Sequence, residues 1–262
     1  MRKRKQIPLQ CILVLITTAV WATPAAAQKS VAVVNAASFE EGFPVSPGCW
    51  ATAFGDFESV GVLDTFADSV PLPTILGGVQ VFVNGVAAPM NFVGRTQINF
   101  VLPANVPASG RVPFRIAVAG NTTYEGSLTL WPISPALISI NPADPTKPGA
   151  VLNQNGTVNS RENPARRGEV IQIFGVGADF RELPSGGAAA PPDRLIPTAT
   201  TPRVWVSVVE ARVQFSGLAP NLVNAWQLNV FVPDEAFIKG QVPVLAEVRG
   251  VKTNLVSIWV AE

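Results

Sequence analysis

The chain of 262 residues contains no histidine. That absence excludes the ordinary Ser–His–Asp and Cys–His catalytic arrangements and most zinc sites. Cysteine is scarce, with only Cys11 and Cys49. Charge is scarce as well: Asp, Glu, Lys and Arg together make up 14% of the residues, and the two signs nearly cancel. Beyond the first residues there is no basic cluster, so no nucleic acid is expected as a partner. No Walker or dinucleotide fingerprint occurs. Gly175-Val-Gly177 follows a strand-like run, but no helix pattern follows it, which argues against a phosphate cradle. The sequence calls for no cofactor and no metal.

The N-terminus reads as a secretory signal. Arg2, Lys3, Arg4 and Lys5 precede an apolar stretch from Leu9 to Trp21, and Ala25-Ala26-Ala27 supplies small residues for cleavage. Residues 1–27 are therefore expected to be removed, with Gln28 beginning the mature chain. The apolar stretch is short for a span of roughly 20 residues, and no later one is longer, so no membrane span is expected after cleavage. The remaining residues carry 15 basic and 18 acidic side chains, a net charge of −3. Cys49 is then the sole cysteine, and an intrachain disulfide is impossible despite an oxidising destination. It is expected to act as a small buried hydrophobe, with pairing to another chain as the alternative.

What the chain has in quantity is proline, glycine and short apolar runs. Its 24 prolines and 21 glycines punctuate Val-, Ile- and Phe-rich segments, the pattern of an all-β chain with many turns. Val79, Val81 and Val83 alternate. So do Ile98, Phe100 and Leu102, then Val112, Phe114, Ile116 and Val118. Val204, Val206 and Val208 follow, with Trp226, Leu228, Val230 and Val232, and Val242, Val244, Ala246 and Val248. A period of two puts each set on one sheet face, to be buried against a second layer.

The runs repeat. Pro44-Val-Ser-Pro-Gly48 with Phe54-Gly55 matches Pro164-Ala-Arg-Arg-Gly168 with Phe174-Gly175. Val81-Phe-Val83 matches Val204-Trp-Val206. Gln97-Ile-Asn-Phe-Val-Leu-Pro103 matches Gln227-Leu-Asn-Val-Phe-Val-Pro233, and Val112-Pro113 matches Val242-Pro243. The matches keep their order while the offset grows, as duplication with insertions in the second copy would produce. The expected fold is therefore two tandem immunoglobulin-like β-sandwich domains. The first spans residues 28–131 and the second residues 164–262. A Pro-rich connection and an Asn155-Gly156 hairpin fill residues 132–163. The segment from Gly175 to Pro202, with Ser185-Gly-Gly-Ala-Ala-Ala-Pro-Pro192, reads as a mobile low-complexity loop.

Several motifs resemble those of a known family. They are Val34-Asn-Ala-Ala-Ser-Phe39, Pro44-Val-Ser-Pro-Gly48, Leu72-Pro-Thr-Ile-Leu-Gly-Gly-Val79, Val83-Asn-Gly-Val-Ala-Ala-Pro89 and Gln97-Ile-Asn-Phe-Val-Leu-Pro103. In the second half they are Leu152-Asn-Gln-Asn-Gly-Thr-Val-Asn-Ser160, Asn163-Pro-Ala-Arg-Arg-Gly168, Phe215-Ser-Gly-Leu-Ala-Pro220 and Gln227-Leu-Asn-Val230. Together they resemble the secreted C-terminal module expanded in soil acidobacteria. That resemblance implies a sandwich like the immunoglobulin-like, plexin and transcription-factor (IPT/TIG) domains. It implies no activity and transfers no catalytic residue. Cys49-Trp50 departs from the family, which more often has aliphatic or hydroxyl residues there.

Three aromatic residues are the candidate ligand contacts: Phe82, Trp205 and Trp259. Phe82 and Trp205 are equivalent in the two copies and sit between inward-facing valines, so each points away from its own core. Trp259 is out of phase with Ile258 and Val260 in the same way. Exposed rings could stack on pyranoses; the competing reading packs them under a loop or between modules. Trp226 is in phase with the core, whereas Trp50 and Trp131 receive no assignment. The Gln-x-Asn pairs read as strand-edge hydrogen bonding or, alternatively, a polar binding edge. Asp56, Glu58, Asp64 and Asp68 form an acidic loop that could hold calcium but fits no loop motif. The expected function is a non-catalytic interaction or adhesion module, binding protein or polysaccharide in the periplasm, at the cell surface or outside the cell. The alternatives are a carbohydrate-active enzyme with paired carboxylates and a structural spacer with no ligand.

Overall fold

The computed structural model describes residues 30–40 and 43–262. The signal segment read at residues 1–27 lies outside the described residues. The described chain is all-β, with one short 3-10 turn at Glu58–Val60 and no α-helix. The first module contains β1 (Ala32–Asn35), β2 (Trp50–Phe54), β3 (Thr65–Phe66), β4 (Val79–Val83), β5 (Val86–Ala87), β6 (Met90–Val93), β7 (Gln97–Val101), β8 (Gly110–Val118) and β9 (Asn121–Leu130). They form two antiparallel sheets, ordered β1-β2-β7-β6-β3 and β5-β4-β8-β9.

The second module contains β10 (Ala136–Leu137), β11 (Val151–Leu152), β12 (Val170–Val176), β13 (Arg203–Val206), β14 (Val209–Ala211), β15 (Val213–Leu218), β16 (Trp226–Phe231), β17 (Gly240–Val248), β18 (Val251–Lys252) and β19 (Val256–Val260). Its sheets run β10-β12-β16-β15, with β11 also on β12, and β14-β13-β17-β18, with β19 also on β17. The two modules are tandem immunoglobulin-like sandwiches.

The alternating positions fill two separate cores. Ala51, Ala53, Val79, Val81, Val83, Ile98, Phe100 and Ile116 meet in the first. Ile171, Ile173, Val204, Val206, Leu228, Val230, Val244 and Ala246 meet in the second. Burying each of the larger side chains contributes on the order of 1.5–3 kcal/mol. Trp226 is fully buried, as its phase implies, and its Nε1–H donates to Ser216 Oγ at 2.9 Å.

The sequence repeat is reproduced in the pairing register. Trp50 faces Val101 in the first module, and Val170 faces Phe231 in the second. Phe82 faces Arg115, and Trp205 faces Leu245. Pro113 faces Ser127, and Pro243 faces Ser257. Even the irregularities agree: β6 slips between Met90 and Phe92 against β7, and β15 between Val213 and Phe215 against β16. Gly48 and Gly168 both turn at positive φ, +77° and +79°. Their amides close the same bond, to Leu102 O at 2.9 Å and Val232 O at 2.8 Å.

Two expectations change. Residues 132–163 are not merely a connection. Ala136–Leu137 and Val151–Leu152 both pair with β12, so the segment completes a sheet of the second module. Proline permits this because extended backbone at a sheet edge needs few N–H donors. The segment from Gly175 to Pro202 is also built in. Ala190 and Ile196 pack with Leu218, Phe180 and Leu183, and Gly187 O accepts from Leu72 N of the first module at 3.0 Å.

That loop helps to lock the modules together. Asn224 Nδ2 donates to Gly48 O at 2.9 Å, and Asn35 Nδ2 donates to Ser134 O at 2.9 Å. Ser134 Oγ–H donates to Pro44 O. Ala37, Ala136 and Val176 form a small apolar cluster against Trp50 and Ile138. The outer face of β2 and β7 therefore looks toward the second module.

Candidate functional site

The cleft between the modules is built on that outer face. Along β2, Ala51 and Ala53 point into the first core, so Trp50, Thr52 and Phe54 point outward. Thr52 lies opposite Asn99 on β7. Thr52, Asn91 and Asn99 supply polar side chains to the cleft, and Ala36, Phe39 and Trp50 add apolar surface from the same module. Ile138, Val176 and Ala225 supply the opposing wall from the second module. The volume is about 450 Å³, the size of a small-molecule site, and domain interfaces are where such sites concentrate.

Local chemistry orients the floor. Gln97 Nε2 donates to Asn99 Oδ1 at 2.7 Å, and Thr52 Oγ1 donates to the same oxygen at 3.0 Å. Both donors converge on Oδ1 and hold the Asn99 amide in one orientation. The Asn91 side chain makes no hydrogen bond to a described group. Phe39 holds a positive φ of 54°, an uncommon conformation for a bulky residue, and its ring lies 6.3 Å from that of Phe54. None of the nine lining residues is titratable. The cleft therefore offers rings and amides but no titratable side chain; the Thr52 hydroxyl is buried and committed to Asn99.

The sequence-derived candidates lie elsewhere and do not converge. Phe82 sits on the outer face of β4, with the Arg115 guanidinium 3.9 Å from its ring centroid. Trp205 and Trp259 share the outer face of the second module's β13–β17–β19 sheet. Arg203 lies 4.7 Å from the Trp205 ring and Arg161 5.8 Å from that of Trp259. All three rings are half-buried, and each has a cation over one face. Arg203 also binds Glu210 through two hydrogen bonds, at 3.0 and 2.6 Å. Those bonds hold the Glu210 carboxyl below the usual carboxylate range.

The acidic loop is organised by its own backbone. Asp56 Oδ1 accepts from Ser59 N at 3.1 Å, and Asp64 Oδ1 accepts from Arg95 N at 3.1 Å. Phe57 anchors the loop in the core, edge-on to Tyr124 at 5.3 Å. Among the described residues, no three or more His, Cys, Asp or Glu side chains group to hold a metal. Also among the described residues, no helix is long and apolar enough to cross a membrane. Cys49 is wholly buried, and burial pushes its thiol up to about 11.

The cleft was partly hidden in the sequence. The Gln97–Asn99 pair was visible as a motif, and the Ala51–Ala53 alternation could have placed Trp50 outward. Nothing local could reveal that Ile138, Val176 and Ala225 would face them.

No family model matches the chain, and no curated protein matches it. Similar solved structures include SGBP-B of the Bacteroides ovatus mixed-linkage glucan utilization locus, in complex with a mixed-linkage heptasaccharide. It is 12% identical, with a TM-score of 0.34 over 86% of this chain and 44% of that one. A biofilm associated protein BSP domain is 11% identical, with a TM-score of 0.27 over 90% and 29% of the two chains. The titin immunoglobulin tandem A164–A165 is 10% identical, with a TM-score of 0.22 over 83% and 89%. The chain thus spans less than half the length of the SGBP-B chain. At such scores these likenesses say nothing of ligand or mechanism.

Proposed function

We propose that the protein is an exported, non-catalytic binding module that takes an uncharged polysaccharide in the cleft between its two sandwiches. The observation that carries this reading is the lining. Trp50 and Phe39 present rings beside the amides of Asn91 and Asn99, with no charged group in the lining. Rings suit the C–H faces of pyranoses, and oriented amides suit their hydroxyls. A cleft without a carboxylate lacks the acid pair that glycoside hydrolysis uses.

Preorganisation supports the same reading. Gln97 and Thr52 fix the Asn99 amide before any ligand arrives, which reduces the ordering cost of binding. Export rests on the signal-like N-terminus and on the resemblance to a secreted module. The test is affinity electrophoresis through gels containing neutral and acidic polysaccharides. Retardation by a neutral polysaccharide, lost in Asn99→Ala with the fold intact by circular dichroism, is the expected result. Free migration through every gel overturns the reading.

A further inference from the structure

We infer that the binding surface does not end at the cleft but continues across the sheet to Phe66, forming a row of subsites for a linear chain of equatorially linked pyranoses. This rests on the reading of the cleft as a glycan site. The four strands β2, β7, β6 and β3 are hydrogen-bonded neighbours. One residue from each stands in a single cross-strand row: Thr52 opposite Asn99, Asn99 opposite Phe92, and Phe92 opposite Phe66. Directly paired residues share a sheet face, so the whole row lies on the outer face that floors the cleft. Three inter-strand steps give it a length of about 14 Å, longer than one sugar ring.

The chemistry along the row is graded. At the cleft end is the half-buried amide of Asn99, held by the buried Thr52 hydroxyl beneath it. At the far end the Phe66 and Phe92 rings contact at 4.6 Å and 41°. Phe66 is 70% exposed, the most exposed aromatic ring among the described residues. With the half-buried Phe92 ring beside it, it forms a contiguous exposed apolar patch at the sheet edge. Phe92 has a structural role in addition, because it lies over Gly94: a Cβ there would come within 2.5 Å of its ring. Phe66 shows no such constraint, since its partner in the sheet edge is Phe92 alone. The four row positions carry no charge, so an uncharged chain is the complementary ligand. Equatorial linkage keeps such a chain extended and presents flat C–H faces to the rings.

The experiment titrates the full protein by calorimetry with the cello-, manno- and xylo-oligosaccharide series, from disaccharide to hexasaccharide. In the series that binds, affinity is expected to rise by about tenfold or more from disaccharide to tetrasaccharide, then level off. Phe66→Ala should reduce the hexasaccharide to near the disaccharide's affinity while leaving the disaccharide unchanged. The side chain is exposed, so the variant should fold, and its melting temperature checks this. Length-independent affinity, or a hexasaccharide indifferent to Phe66→Ala, overturns the extended row but leaves the cleft reading intact. If none of the three series binds at any length, the extended row falls, and the polysaccharide gels decide the cleft reading.

Discussion

The indole Nε1–H of Trp50 donates to the main-chain carbonyl of Val223 at 2.7 Å, joining residues 173 positions apart. Trp50 thus belongs to the wall of the cleft and to the lock between the modules. Trp50→Phe keeps a ring but removes the donor. It should lower stability by about 0.5–1.5 kcal/mol, the net worth of such a bond. Urea unfolding measures this, and an unchanged midpoint would show that the bond carries no stability.

Gly48 and Gly168 form an internal control. Both sit at positive φ, where a Cβ costs roughly 1–2 kcal/mol. A Cβ on Gly168 would meet nothing, whereas one on Gly48 would collide with Leu183 Cδ1 of the second module. Gly48→Ala should therefore destabilise more than Gly168→Ala. The excess should shrink in a Leu183→Ala background, as a double-mutant cycle would reveal. Equal effects in the wild-type background would mean that Leu183 moves aside freely.

Cys49 should be chemically silent in the folded protein. Its thiol is raised from 9.0 to about 11 by burial, and only the thiolate reacts. A thiol reagent at pH 8 should label it no faster than the protein unfolds. The raised value also sets a pH dependence. The folded state holds its proton more tightly than the unfolded state, so this contribution is complete below pH 9 and declines between 9.0 and about 11. Cys49→Ala should flatten that part of the alkaline stability profile, and an unaltered slope would assign it to other groups.

Phe82→Ala and Trp205→Ala should leave glycan affinity unchanged, since both rings lie outside the cleft with guanidinium groups over them. Asn99→Ala should weaken it at least tenfold, about 1.4 kcal/mol. Parallel calorimetry on the three variants decides the matter. A loss in Trp205→Ala comparable to that in Asn99→Ala would move the site to the second module's outer face.

Much of this molecule was legible in one dimension. Alternation placed Val79, Val81 and Val83 in one core and Val204 and Val206 in the other, because side-chain direction in a strand depends only on parity; Val208, expected on the same face, is instead exposed in the turn that ends β13. The repeat fixed the pairing as well: equal spacing on both strands of a pair leaves equal register, so Phe82 and Trp205 meet equivalent partners. Positive-φ turns were marked by Gly48 and Gly168.

What the sequence determined by itself was therefore the period of each strand, the turns and the duplication, all of which are local or self-similar properties. Only the tertiary structure decided how the two copies face each other. That choice rests on contacts between residues far apart in the chain, such as Trp50 with Val223 and Asn224 with Gly48, and no local pattern encodes their meeting. It turned a low-complexity loop into a staple through Gly187 and Leu72. It also set Asn99 and Trp50 opposite Ile138 and Val176. A cleft made by two modules exists only once long-range packing has overcome the entropy of bringing them together.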